Sequence, residues 1–265
     1  MTTNTHSTSK KANHLIHKTS LLFVHGNSLN SVTWDKQHEL TKHCELTFID
    51  LPGHGFSEFS ETPETTYSVD GYVSSIVDVA KKLDAERLIL IGHSLGGHLV
   101  VNAASKIDNL VGIVAMGAPF LGMPPAMDRA FLPNPSIGYG FQGKLDDAQC
   151  MDLALAFWSN NNPPNWIQES IKNTDPNARA YLGQSMAQGK MYDELKILKS
   201  LQVPIAIFHG KNDTLVRREY FDEIEIPTLW KNQVHDMEGG HCFFYENPRA
   251  FNALLEEFIA FNTPS

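Results

Sequence analysis

The segment Gly92-His93-Ser94-Leu95-Gly96 restricts the possible fold more than any other feature of the chain. It follows an apolar run at 87–91 that is typical of a buried strand, and a segment of helical character, 97–106, comes after it. A serine flanked by glycines at this spacing is typical of a strained strand-to-helix turn, where side chains would collide with neighbouring backbone. A chance match is the alternative, but both flanks argue against it. We therefore predict that Ser94 projects into a cleft as a nucleophile.

Strand and helix patterns alternate through the first half of the chain, which predicts an α/β protein with a parallel sheet. Short apolar runs of strand length lie at 21–24, 46–49, 87–91, 111–116, 204–208 and 233–237. Helical spacing is seen at 69–83, 97–106 and 248–261. The sheet is therefore expected to resume after a long interruption.

That interruption, residues 120–200, combines proline-rich turns with apolar residues at helical spacing, as in Met151 and Leu155. We predict a helical cap there, with the α/β core formed by 13–119 and 201–265. A surface appendix that only adds stability is the alternative. The cap is favoured because open α/β sheets bind ligands at the carboxyl ends of their strands, where this insertion lies.

Charge and cysteine content indicate which partners and which cellular compartment to expect. A formal net charge of −9 argues against nucleic acid and anionic membrane surfaces as partners. Cys44, Cys150 and Cys242 are far apart and lack zinc or redox spacing, so free thiols in a reducing cytoplasm are expected. The polar start, residues 1–12, predicts a flexible tail. The oligomeric state stays open, and a homodimer is compatible with the sequence.

A serine hydroxyl is a weak nucleophile and needs a neighbouring base. His241 is the candidate, because it follows Gly239-Gly240 in a loop after the last predicted strand and so reaches the carboxyl edge of the sheet. The chain has 12 histidines, so position decides among them. His98, one helical turn after Ser94, is interpreted as packing or polar lining.

The acid that orients the base should follow the strand before the last one, and Asp213 stands there. Its carboxylate would accept the Nδ1 proton of His241 and stabilise the imidazolium formed during attack. Asp236 and Glu238 are the alternatives, although their position beside His241 is more typical of solvated or structural carboxylates.

The oxyanion formed during attack needs two preplaced donors. The backbone N–H of Leu95 is one candidate. The backbone N–H of Asn27 is the other, because Gly26 allows that loop to approach the nucleophile. The Asn27 amide is also a candidate for binding a polar group of the substrate, and an asparagine that only stabilises the turn is the alternative.

The ordered motifs together resemble the α/β-hydrolase superfamily, over about 21–261. They are HGNS at 25–28, DLPGHGFS at 50–57, GHSLGG at 92–97, Asp213 and Gly240-His241. The resemblance implies a mostly parallel central sheet flanked by helices, with a helical cap inserted before the last two strands.

Several segments are similar to the cofactor-independent N-acyl-homoserine lactone hydrolases. They are HGNS, SLGGH at 94–98, NARA at 177–180, VPIAIFHGKND at 203–213 and TLW at 228–230. The resemblance implies opening of the lactone ring of a quorum-sensing signal, with Asn27 near the lactone and the cap around the acyl chain. No cofactor is implied, and the sequence has no HxHxDH-type cluster of metal ligands. Further candidates for substrate contact are His93, Phe120, Phe157 and Trp158.

Other functions compete with a lactonase. A carboxylesterase or a carbon–carbon bond hydrolase would use the same residues on other small apolar acyl substrates. Haloalkane dehalogenases share the HGN start, but they use an aspartate where this chain has Ser94. A ligand receptor on a hydrolase fold is the alternative from another class, and the intact set of nucleophile, base and acid favours an enzyme.

Overall fold

Within the described residues, seven strands form one sheet, in the order β1-β3-β2-β4-β5-β6-β7. A computed structural model describes residues 4–10, 19–42 and 44–263. The strands are β1 (Ser7–Lys10), β2 (Thr19–Val24), β3 (Glu45–Ile49), β4 (Arg87–His93), β5 (Leu110–Met116), β6 (Ile205–Gly210) and β7 (Leu229–Met237). All pairs are parallel except the antiparallel pair of β1 and β3. The predicted α/β class and mostly parallel sheet are therefore confirmed.

The central strands are buried on both faces, which explains why their sequences are continuous apolar runs rather than alternating ones. Every residue of β2 and of β6 is buried. The register sets Val24 beside Gly92, and His93 beside Met116. Because these strands are parallel and aligned, the loops that follow them meet at one edge of the sheet.

The helices account for the rest of the fold. They are α1 (Pro63–Thr66), α2 (Val69–Lys82), α3 (Leu95–Ala103), α4 (Met127–Ala130), α5 (Asp147–Ala156), α6 (Asn165–Asn173), α7 (Pro176–Ala187), α8 (Glu194–Ser200), α9 (Phe243–Glu246) and α10 (Pro248–Asn262). A 3-10 helix spans Ser31–Lys42, and shorter 3-10 segments follow α3, α4 and β6. Five of the helices, α4 to α8, lie between β5 and β6, as expected for a helical insertion before the last two strands. The limits of the cap as a domain stay a prediction.

The start of the chain differs from the predicted tail over four residues. Ser7–Lys10 forms the edge strand β1, with Ser7 opposite Ile49 and Lys10 opposite Leu46. All four residues of this strand are exposed. An edge strand needs only backbone hydrogen bonds to one neighbour, so it leaves no apolar pattern to detect in the sequence. Residues 1–3, 11 and 12 of the predicted tail lie outside the described residues.

Three further findings concern the classes of site and partner. Cys44, Cys150 and Cys242 are all buried free thiols. Across the described ranges, no helix combines the length and the apolar character needed to cross a membrane. In the same ranges, no three His, Cys, Asp or Glu side chains are grouped so that they could hold a metal ion.

Candidate active site

The turn between β4 and α3 is strained at Ser94, which has φ 52° and ψ −120°. Gly92 and Gly96 must be glycines because neighbouring backbone atoms leave no room for a side chain at either position. A Cβ on Gly92 would lie 2.2 Å from the carbonyl oxygen of Gly96, and a Cβ on Gly96 would lie 2.3 Å from that of Val24. Real Cβ atoms are not found so close to an oxygen, so the local sequence and the turn geometry explain each other. Ser94 is partly exposed and lines a cavity at the carboxyl edge of the sheet.

His241 lines the same cavity, and its Nδ1 lies 2.7 Å from Oδ2 of Asp213. Both side chains are almost completely buried. The other oxygen of Asp213 accepts hydrogen bonds from the backbone N–H groups of Leu215 at 2.8 Å and Val216 at 3.1 Å. These two bonds fix the carboxylate, so the Nδ1–H of His241 has one acceptor in one orientation. The Nε2 of His241 has no hydrogen-bond partner among the described residues and is available to a hydroxyl in the cavity.

The two alternative acids are occupied elsewhere. Asp236 accepts a hydrogen bond from Nε of Arg218 at 2.7 Å. Glu238 is exposed and pairs with Lys211. Of the three carboxylates considered, Asp213 is the one bonded to His241.

Electrostatics keep Asp213 ionised in this buried position. Burial alone would raise the pKa of its carboxyl group. The charge of His241 and the hydrogen bonds from His241 and from the N–H of Leu215 outweigh burial and lower the pKa below its ordinary value. Asp213 is thus an acceptor at neutral pH, which is the state that a base-orienting carboxylate requires.

Two aromatic rings hold the imidazole of His241. The Phe157 ring is stacked on it with centroids 5.6 Å apart, and the His93 ring lies 4.6 Å away. The Nε2–H of His93 donates to the carbonyl oxygen of His241 at 3.0 Å, and burial lowers the pKa of His93 well below its ordinary value. A neutral His93 therefore holds the loop of His241 through a hydrogen bond to its backbone.

The two predicted oxyanion donors, Leu95 and Asn27, directly follow Ser94 and Gly26 in the chain. Leu95 is the first residue of α3, so its N–H has no acceptor within the helix. A Cβ on Gly26 would lie 3.1 Å from Cβ of Ser94, which shows how closely the loop before Asn27 approaches. That loop is held by His25, whose Nδ1–H donates to the carbonyl oxygen of Gly26 at 2.8 Å.

The side chain of Asn27 is engaged with the cap. Its Nδ2 donates to the carbonyl oxygen of Gly140 at 2.6 Å, and its Oδ1 accepts from the hydroxyl of Ser28 at 3.1 Å. Asn27 still lines the cavity. Its amide therefore ties the loop after β2 to the insertion, which the sequence alone did not predict.

The cavity runs between the face of α3 and the insertion, and apolar side chains provide most of its wall. Phe157, which was predicted to contact substrate, lines it together with other apolar residues. These include Leu99, Phe131, Ile137, Phe141, Leu153, Leu182, Met186, Leu215 and Val216. Such a cavity suits an apolar chain.

Three predicted substrate contacts do not line this cavity. Phe120 is completely buried behind its wall. His93 is buried as well, because its ring turns toward the His241 loop. Trp158 follows the end of α5 and packs against Tyr245, with ring centroids 6.1 Å apart. Position along the chain placed these residues near the site, but the direction of each side chain takes it away from the cavity.

A polar group of three residues also lines the cavity, and sequence reasoning missed two of them. Nδ1 of His98 lies 2.9 Å from Oε2 of Glu194, and Nδ2 of Asn102 donates to Oε1 at 3.3 Å. The backbone N–H of Leu121 donates to Oε2 at 2.8 Å. The four-residue spacing of positions 94, 98 and 102 on one helix face was the available signal. Nothing in the sequence indicated Glu194.

A family model described as the alpha/beta hydrolase family matches residues 21–254. The AB hydrolase superfamily protein YisY of Bacillus subtilis is 25% identical over 261 residues, which cover 91% of this chain and 92% of that protein.

Solved structures are similar over almost the whole chain. A mutant of the N-acyl homoserine lactonase AidH, complexed with N-hexanoyl homoserine lactone, has a TM-score of 0.91 at 23% identity, covering 98% of this chain and 95% of that one. An esterase from Exiguobacterium antarcticum has a TM-score of 0.78 at 18% identity, covering 97% and 96%. At these identities the likeness is one of fold.

Proposed function

Because the chain belongs to the alpha/beta hydrolase family, we propose that it is a serine hydrolase that opens the lactone ring of N-acyl-homoserine lactones. The observation that carries the proposal is the shared cavity of Ser94 and His241, with His241 bonded to the buried Asp213 at 2.7 Å. A nucleophile, a base and an orienting acid in this arrangement are what acyl transfer requires.

In the first half of the proposed reaction, Oγ of Ser94 attacks the lactone carbonyl carbon while Nε2 of His241 takes the hydroxyl proton. Asp213 accepts the Nδ1 hydrogen bond and stabilises the imidazolium. The carbonyl oxygen becomes an anion between the N–H groups of Leu95 and Asn27. When the tetrahedral intermediate collapses, the ring C–O bond breaks and His241 protonates the leaving alkoxide, which stays tethered to the acyl group.

In the second half, a water molecule gives a proton to His241 and attacks the ester carbonyl of the acyl-enzyme. The same two N–H groups stabilise the second oxyanion. The bond to Ser94 breaks, His241 returns the proton to the serine oxygen, and the ring-opened acid leaves.

The choice of lactone over simple ester rests on two supports. The apolar cavity suits the acyl chain of such a substrate. The similarity of fold to AidH, described as an N-acyl homoserine lactonase, points to the same substrate class. We infer from the cysteine pattern that the enzyme works in the cytoplasm, where hydrolysis of the signal would act as quorum quenching.

The test is hydrolysis of N-acyl-homoserine lactones and of p-nitrophenyl esters, with the wild type and Ser94→Ala compared in the presence of a chelator. We expect lactone turnover to exceed ester turnover. Ser94→Ala should lose about 10⁴-fold or more in kcat, since it removes the attacking group. Circular dichroism should show an unchanged fold, because the Ser94 hydroxyl makes no hydrogen bond within the described residues and serine and alanine are similar in size.

Each other result has a definite meaning. Ester turnover without lactone turnover would make the protein a carboxylesterase. Turnover that survives in Ser94→Ala would remove the serine mechanism. Lactone binding without turnover in the wild type would favour a receptor.

A further inference from the structure

One part of the cavity wall is a buried polar group, although most of the wall is apolar. Glu194 is only 4% exposed and Asn102 only 3%. Both line the cavity together with His98. The proposed reaction at Ser94 does not use them.

Counting hydrogen bonds shows what this group lacks. The carboxylate of Glu194 accepts hydrogen bonds from His98, from Asn102 and from the N–H of Leu121, so both of its oxygens have donors. Because a carboxylate only accepts, His98 donates to it through Nδ1–H. Oδ1 of Asn102 is buried and has no partner among the described residues. An unpaired buried acceptor costs free energy, so a bound group that donates a hydrogen bond would be stabilised here.

The position of the polar group sets the length of the ligand. Leu95, His98, Leu99 and Asn102 line the cavity along one face of α3. With a helical rise of about 1.5 Å per residue, Asn102 lies about 10 Å along the helix axis from the end at Leu95. Leu99 of α3 and apolar side chains of the insertion, such as Leu153, also line the cavity. This lining fits a hydrocarbon chain that carries a polar group at its end.

We propose that the polar part of the cavity wall, formed by Asn102, His98 and Glu194, is a binding site for a terminal hydroxyl on the acyl chain of the substrate. The inference rests on the proposed function only in assuming that the chain enters this cavity. A hydroxyl is preferred to an ammonium group because burying the charge of the ammonium carries a large desolvation cost. A terminal methyl would leave Oδ1 of Asn102 unpaired.

The test measures binding, so that it does not depend on turnover. Ser94→Ala is titrated calorimetrically with pairs of ligands that differ only in a terminal hydroxyl or methyl, with chains of roughly six to ten carbons to match the span along α3. Each pair is made both as a methyl ester and as an N-acyl-homoserine lactone. At the best length we expect the hydroxyl ligand to bind about five-fold more tightly, as one net hydrogen bond allows.

The outcomes separate the two proposals. A hydroxyl preference in either series supports the site, even where wild-type enzyme hydrolyses no lactone and the proposed function fails. Equal binding, tighter binding of the methyl ligands or no binding of any ligand overturns it. Tighter binding of a matched terminal amine than of the hydroxyl overturns the assignment to a hydroxyl.

Two variants in the same background locate the effect. Asn102→Leu replaces the free acceptor by an apolar group of similar size, so the ratio of hydroxyl to methyl affinity should fall to about one or below. Met186→Leu changes the cavity wall without removing an acceptor, and the ratio should stay as in the parent. A ratio that is unchanged in Asn102→Leu would overturn the proposal.

Discussion

At the residue scale, Asp213 must remain charged where water hardly reaches it. Its two oxygens accept hydrogen bonds from different donors. One accepts from the N–H groups of Leu215 and Val216, and the other accepts from His241. The backbone bonds hold the carboxylate in place before any substrate arrives, which is the pre-organisation that a base-orienting group needs.

Asp213→Asn should keep the size of the side chain but offer a donor where His241 needs an acceptor. The imidazole would then adopt the wrong tautomer, and kcat for the best ester or lactone should fall by about 10³ to 10⁴-fold. Steady-state kinetics measure this loss. Asp236→Asn is the matched control, because Asp236 pairs with Arg218 outside the cavity, and its kcat should stay within about two-fold. Similar losses in both variants would contradict the assignment.

Ser94, Asp213 and His241 could be singled out from the sequence because each stands at a fixed place in the order of strands and turns. The sequence could not predict which neighbouring side chains face the cavity. Phe120 and His93 lie beside the site in the chain, yet both are buried away from it. Glu194 lines the cavity, but no local pattern marks it. Side-chain direction depends on packing between distant segments, which a single sequence does not show.

At the scale of elements, the insertion is attached to the core through buried polar contacts. Arg179 in α7 is 2% exposed. Its guanidinium donates to the carbonyl oxygens of Gly143 at 2.9 Å and Ile171 at 3.0 Å, and its Nη1 lies 3.4 Å from the hydroxyl oxygen of Ser28. One side chain thus joins two parts of the insertion to the loop that carries Asn27.

Arg179→Met should leave these carbonyl oxygens buried without donors. We expect a loss of about 2–4 kcal/mol in the free energy of unfolding, measured by urea denaturation, since hydrogen bonds to charged groups are removed from a buried place. Arg249→Met at an exposed position of α10 should change it by less than about 0.5 kcal/mol. A small effect at Arg179 would show that its hydrogen bonds do not hold the insertion in place.

Elements were predictable where burial leaves a strong pattern. The strands in the middle of the sheet have continuous apolar runs because both of their faces are covered. The edge strand β1 has four exposed polar residues and gives no such pattern. Its existence depends on backbone hydrogen bonds to β3, which no side-chain preference reveals.

At the scale of the whole molecule, buried neutral histidines make stability depend on pH. Burial, together with the charge of nearby His25, lowers the pKa of His54 to about 3. Burial also lowers the pKa values of His25 and His93. The unfolded chain binds protons at these histidines below their ordinary pKa, whereas the folded protein does not, so the folded state loses stability as pH falls through about 6.5.

His54→Gln should flatten this dependence. For each such histidine the free energy of unfolding falls by up to about 1.4 kcal/mol per pH unit below the unfolded pKa, so His54 alone should account for about 2 kcal/mol between about pH 7.5 and 5. Urea denaturation at several pH values gives both curves. The slopes are compared, because the substitution also changes stability at neutral pH. Parallel curves would show that His54 becomes protonated in the folded state.

The bond from Asn27 to Gly140 has a consequence for how such a protein can diversify. The acceptor is the backbone carbonyl of Gly140, so side chains elsewhere in the insertion can change while this hydrogen bond to the core is retained. The approach is tight, since a Cβ on Gly140 would lie 3.2 Å from the amide nitrogen of Asn27. A foreign insertion grafted onto this core should therefore work only if its own backbone returns a carbonyl to that point. During evolution, exchange of one cap for another would therefore depend first on the backbone path of the new cap and only then on its side chains.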